Sequence, residues 1–90
     1  MKLKCKNLFL VTLCEQNGDY EYERTGLIKA DKDANAEAEQ IASRWYSERG
    51  EPCGNGFSFH QGGIRVAVSE VKKVQPEESA VLLRYLPLWS

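Results

Sequence analysis

Asn17-Gly18 separates two strand-like runs, and no other dipeptide constrains the fold of this chain as much. Both residues tolerate positive φ, so the pair predicts a two-residue turn between antiparallel strands. The first run, Leu8 to Cys14, is rich in strand formers. The second, Tyr20 to Ala30, alternates Glu21 and Glu23 with Tyr20 and Tyr22. Gly26 then interrupts the period, and Leu27 and Ile28 are consecutive apolar residues. A β-bulge near Gly26 is the expectation.

Past this hairpin the period changes. Asp33 is a good N-cap, because its carboxylate accepts an orphan N–H and meets the positive end of the helix dipole. Ala34, Ala38, Ile41, Ala42 and Trp45 follow on one helical face. Gly50 and Pro52 stop the helix. Gly50 to Gly56 reads as a loop, Phe57-Ser58-Phe59 as a short strand, and Gln61-Gly62-Gly63 as a turn. Ile64, Val66 and Val68 alternate in the next strand, and Val71 and Val74 are out of phase with them. Gln75-Pro76-Glu77-Glu78 starts a last helix, with Pro at its first position, running to about Tyr85 and ending before Pro87. The expectation is an α+β fold of order β-β-α-β-β-α, an antiparallel sheet with its helices packed on one face. Ala38, Ile41 and Trp45 are predicted to be buried against that sheet.

A chain of 90 residues makes one domain, residues 1–90, with a thin core. Ordering it costs on the order of 130 kcal/mol at about 1.5 kcal/mol per residue, so association would help its stability. Its 42% hydrophobic and 28% charged residues place it among globular chains and away from disordered ones. The formal net charge of −1 does not advertise nucleic-acid binding, which usually shows a basic face. Local candidates for a nucleic-acid contact are Lys2, Lys4 and Lys6, which alternate, and Arg65, with Tyr20, Tyr22, Phe57 and Phe59 as a stacking platform. Glu21, Glu23 and Glu70 on the same strands repel phosphate.

Met1 to Cys14 imitates a short lipoprotein signal: a basic start, an apolar run, a cysteine. The run from Leu8 to Leu13 spans six residues, short of the roughly 7–15 of a secretory segment, and Leu13 stands where a small residue should be. No run approaches the ~18 apolar residues of a membrane span. The three cysteines, Cys5, Cys14 and Cys53, are an odd number and read as reduced thiols of a cytoplasmic protein.

Catalytic chemistry finds little support. His60 is the sole histidine, and no motif places a nucleophile and an orienting group beside it. Cys5 and Cys14 would lie roughly 30 Å apart along one strand, so they do not share a metal ion. The glycines at 54, 56, 62 and 63 lack the spacing and the lysine of a phosphate loop. No catalytic residue, metal or cofactor is assigned.

The tail carries the functional signal. Val81 to Trp89 reads V-L-L-R-Y-L-P-L-W, with seven apolar or aromatic residues of nine. At 100° per residue Val81, Leu82, Leu83, Tyr85 and Leu86 surround most of a helix, Leu88 and Trp89 extend the apolar surface beyond Pro87, and one domain face buries only part of that girdle. Residues 81–89 are therefore the expected interaction segment, with Val81, Leu82, Tyr85, Leu86, Leu88 and Trp89 as the protein interface. A second copy forming a two-fold dimer is the first candidate partner. A tail folded back over its own sheet is the rival arrangement.

The hairpin Y-E-Y-E-R-T (Tyr20–Thr25), the acidic cap, the Ala/Glu-rich helix ending in Trp45-Tyr46 and the final E-E-x-x-V-L-x-x-Y-L together resemble small proteins of phages, plasmids and some bacterial genomes. The resemblance spans most of the chain and is architectural. It implies a role in binding, as in anti-CRISPR proteins that inhibit host defence, and transfers no residue role. The leading expectation is a non-enzymatic protein-binding module, a mobile-element regulator or inhibitor; a small nucleic-acid-binding domain ranks second, and an enzyme third.

Overall fold

The run from Leu8 to Leu13 is broken only by Thr12, and a strand carrying it presents apolar side chains on both faces. Both faces must then be covered, and this sets the architecture. The computed structural model, which describes residues 7–31, 33–46 and 48–89, places this run in the first half of β1, Asn7–Asn17. It is followed by β2 (Tyr20–Ala30), α1 (Ala34–Ser43), β3 (Glu51–Cys53), β4 (Gly56–Phe59), β5 (Ile64–Lys73) and α2 (Pro76–Tyr85). All five strands form one antiparallel sheet in the order β2-β1-β5-β4-β3.

The α+β class and the antiparallel sheet agree with the expectation, and the element order differs. The segment read as a loop from Gly50 to Gly56 contains β3, which makes the order β-β-α-β-β-β-α. β3 is three exposed residues with Pro52 at its centre. So short a strand carries no readable alternation, and its proline suits a sheet edge, where a missing N–H costs no ladder bond.

The helices also depart from the predicted single face. Directly opposed residues share a face, so Phe9, Val11 and Leu13 lie with Ile28, Val68 and Val71, beneath α1. Leu8 and Leu10 lie on the other face with Leu27, where Val74 and the α2 residues Leu82 and Leu86 close a smaller core. Leu27 and Ile28 are adjacent apolar residues because each serves one of these cores. No bulge is needed at Gly26, and β1 and β2 pair in unbroken register from Asn7–Ala30 to Asn17–Tyr20. The bulge is in β5 instead. Thr12 pairs with Glu70 and Leu13 with Val68, so Ser69 is the extra residue. This is the phase change between Val68 and Val71.

Local chemistry explains the remaining boundaries. The first hairpin turns on Gly18-Asp19, one residue later than predicted, with φ +62° at Gly18 alone. Only glycine takes that angle without strain, and one positive φ at the first loop position is the type II′ pattern. Asp33 caps α1 as expected, its Oδ1 accepting the Ala36 N–H at 3.0 Å. Ala34, Ala38 and Ala42 are buried, and three small side chains let the helix approach the sheet closely. α1 stops at Ser43 rather than near Gly50, so Trp45 sits in the following turn. Ala38 is fully buried, while Ile41 and Trp45 are half-buried against the core.

Candidate interaction surface

The chain after α2 folds back along the outer edge of its own sheet. Leu82 and Leu86 turn inward on Leu8, Leu27 and Val74. Pro87 ends the helix, and the next residues run parallel to β2: the Leu27 N–H donates to Pro87 O at 2.8 Å, and the Trp89 N–H donates to Leu27 O at 2.7 Å. Trp89 then reaches the α1 face. Its indole lies on Gly26, where any Cβ would collide with it, and meets Trp45 edge-on with ring centroids 5.0 Å apart. Gly26 is thus a seat for an aromatic ring.

The six residues assigned to the interface therefore divide. Leu82, Leu86 and Trp89 pack into the domain's own two cores. Val81, Tyr85 and Leu88 remain outside at 55%, 73% and 47% exposure, joined by Leu83 at 43%. Helical geometry accounts for the division: Leu82 and Leu86 are four apart on the inner stripe, and Val81, Leu83 and Tyr85 flank it. Leu83 was the residue missed, and its place beside the inner stripe follows from the same spacing.

The residues considered for nucleic acid are not brought together. Lys2, Lys4 and Lys6 lie outside the described residues. Tyr20 and Tyr22 stack on each other, with centroids 6.4 Å apart, on the α1 side of the sheet. Arg65 pairs with Gln16 and faces the opposite side, where its guanidinium is bound to Cys53 O and Asn55 Oδ1. Phe59 is in the core and Phe57 packs against it. Alternation puts Arg65 on the face opposite the aromatics, and burial sets Phe59 apart from the exposed tyrosines.

His60 is exposed at the tip of the β4–β5 hairpin, as its position beside the glycines implied. It and Gln61 have φ of +52° and +58°, an uncommon conformation for residues with a Cβ. Glu48 Oε1 accepts the His60 backbone N–H at 3.3 Å and lies 3.3 Å from its Nδ1. Among the described residues no hydroxyl or thiol is hydrogen-bonded to this ring. Cys14 and Cys53 are free thiols, and Cys5 lies outside the described residues. The Cys14 Sγ–H donates to Glu21 Oε1, and this bond, then burial and the carboxylate charge, push the thiol pKa up and lower its nucleophilicity.

Sequence reasoning missed the polar cluster beneath the turn after α1. Glu15 continues the inward phase of Val11 and Leu13 and is 2% exposed. Its Oε2 accepts the Tyr46 O–H, and Arg24 Nε approaches its Oε1 at 3.4 Å. Burial, followed by the bond to Glu15, pushes the Tyr46 phenol up to about 12. The Tyr46 ring packs edge-on to Phe59 and His60, each with centroids 5.4 Å away. The detectable signal was a carboxylate occupying an apolar phase of β1. Such a group requires buried partners, because leaving it unpaired costs the full desolvation of a charge.

No protein family, curated protein or solved structure matches this chain. A functional reading accordingly rests on its residues and their placement. Among the described residues no helix is long and apolar enough to cross a membrane.

Proposed function

We propose that this chain is a non-enzymatic protein-binding module, with inhibition or regulation of a host defence protein on behalf of a mobile element as the role its architectural resemblance implies. The observation carrying this reading is the flank of α2 and the tail, where Val81, Leu83, Tyr85 and Leu88 stand 43–73% exposed beside a small core. Apolar groups gathered on a short terminal helix are an aggregation liability unless a protein surface covers them. A second copy closing a two-fold dimer is the first candidate, since the same patch then serves both sides. Arg65 is tied to Cys53 O and Asn55 Oδ1 and faces away from the exposed tyrosines, so a nucleic-acid reading has less support.

The test leaves the core intact. Light scattering on the full chain and on the triple variant Val81→Ser, Tyr85→Ser, Leu88→Ser separates the outcomes. A dimer is expected for the former and a folded monomer for the latter. A monomeric full chain at high micromolar concentration would rule out the second copy and leave a foreign protein as the partner.

A further inference from the structure

We propose that the outer edge of β2, from Glu21 to Thr25, is a docking strand for an extended basic segment of a partner protein, which joins the sheet as a sixth strand. This surface is distinct from the α2 flank and stands on separate observations.

The first observation is the phase of the backbone. Both groups of Leu27 bond to the tail, so its N–H and C=O point away from β1. Backbone direction alternates along a strand, which turns the N–H and C=O of Thr25, Glu23 and Glu21 outward as well. β2 is the terminal strand of the sheet, and among the described residues no backbone group bonds to these six. They repeat every ~6.8 Å, the spacing of an incoming strand. The tail occupies only the Leu27 position and leaves this stretch open.

The second observation is charge. Tyr20, Tyr22 and Arg24 project on the α1 side, and Glu21, Glu23 and Thr25 on the other; all six are exposed. Arg24 is paired with Glu15 and lies 5.6 Å from the centre of the Tyr22 ring. Among the described residues Glu21 accepts only the Cys14 thiol and Glu23 is in no ion pair. The edge therefore offers two adjacent carboxylates on one side and two stacked phenols on the other. A strand with Lys or Arg at alternate positions places cations against Glu21 and Glu23, and its intervening side chains meet Tyr20 and Tyr22.

The same geometry disfavours a second copy at this edge. An antiparallel two-fold pair that aligns like faces sets Glu21 against Glu23, or Glu21, Glu23 or Arg24 against itself. Like charges directly opposed are destabilising. Exposed charge also protects a free edge from promiscuous pairing, so the device admits basic strands selectively.

The probe is the peptide acetyl-Thr-Lys-Val-Lys-Val-Lys-Thr-amide, titrated into the full ¹⁵N-labelled chain at low ionic strength. Expected are amide shifts and slowed hydrogen exchange at Glu21, Glu23 and Thr25, with affinity falling as salt is added. The pair Glu21→Gln, Glu23→Gln keeps side-chain size and should bind roughly tenfold more weakly. Glu23→Pro should abolish binding, because the N–H it removes points outward; if that variant does not fold, the glutamine pair decides. A peptide with glutamate in place of lysine should leave the spectrum unchanged. The proposal falls if millimolar lysine peptide moves no β2 amide, if the glutamine pair binds equally well, or if the shifts map to Val81 and Tyr85. The last result would remove the docking strand and leave the binding-module reading in place.

Discussion

The two halves of β2 share one backbone and one partner strand, yet they meet different surroundings. From Gly26 to Ala30 the strand is covered at every residue but Lys29: Leu27 and Ile28 are buried in opposite cores, Trp89 covers Gly26, and the tail bonds to the outer edge at Leu27. From Tyr20 to Thr25 every side chain is exposed and the edge is open. Pairing to β1 is identical along both halves, so the ladder does not distinguish them. The distinction comes from α2 and the tail, which close on the Gly26–Ala30 end, and from α1, which covers Ile28 and Ala30 while also lying over β5 and β4. Stability is concentrated there, and the other end is left available for contact.

The largest effect expected from this contrast is in the core. Leu27 is fully buried beneath α2 in the sealed half, and Leu27→Ala should cost about 3 kcal/mol in urea denaturation. Tyr20→Ala at the open end should change stability by no more than about 0.5 kcal/mol. Comparable losses would erase the distinction between the halves.

A smaller effect isolates the tail. Trp89→Ala removes a half-buried indole and should cost about 2 kcal/mol, below the usual cost of a fully buried aromatic. Gly26→Val should be severe in the native chain and nearly harmless beside Trp89→Ala, because the obstacle is the indole itself. Additive penalties in this double-mutant cycle would show that Trp89 does not sit on Gly26.

The smallest effect lies at the polar border between the halves. The Tyr46 phenol is held near 12 in the folded chain against an ordinary value of 10.0. Folding therefore favours the protonated form, and this contribution is whole below pH 10 and is lost as pH rises through 12. Tyr46→Phe should flatten the fall in urea midpoint across that window and remove an ionisation step near pH 12 from the ultraviolet titration. A midpoint falling equally in both proteins would show that Tyr46 does not carry the dependence.

What the sequence disclosed follows the same division. The Asp33 cap, the alanine stripe, the β5 phase change and the Pro76 start were legible because each is a local signal with a fixed chemistry. The two-sided burial of Leu8 to Leu13 was also written in the sequence, and it foretells helices on opposite faces once both cores are counted. β3 was hidden because three residues have no period. The burial of Trp89 was hidden because it depends on Gly26, sixty-three residues earlier in the chain. Glu15 and Tyr46 are thirty-one residues apart and meet only after α1 packs on the sheet. Of the six tail residues, helical spacing separates Leu82 and Leu86 from Val81 and Tyr85, and only the fold-back path shows that Trp89 turns inward and Leu88 outward.

Hydrogen exchange resolved along β2 tests the account most directly. The Leu27 amide, bonded to Pro87, should exchange as slowly as the core, while the outward amides of Glu21, Glu23 and Thr25 exchange orders of magnitude faster. Removing the residues after Tyr85 should move Leu27 into the fast group. Uniform protection along β2, or a Leu27 amide indifferent to the truncation, would contradict the division of this strand into a sealed half and an open one.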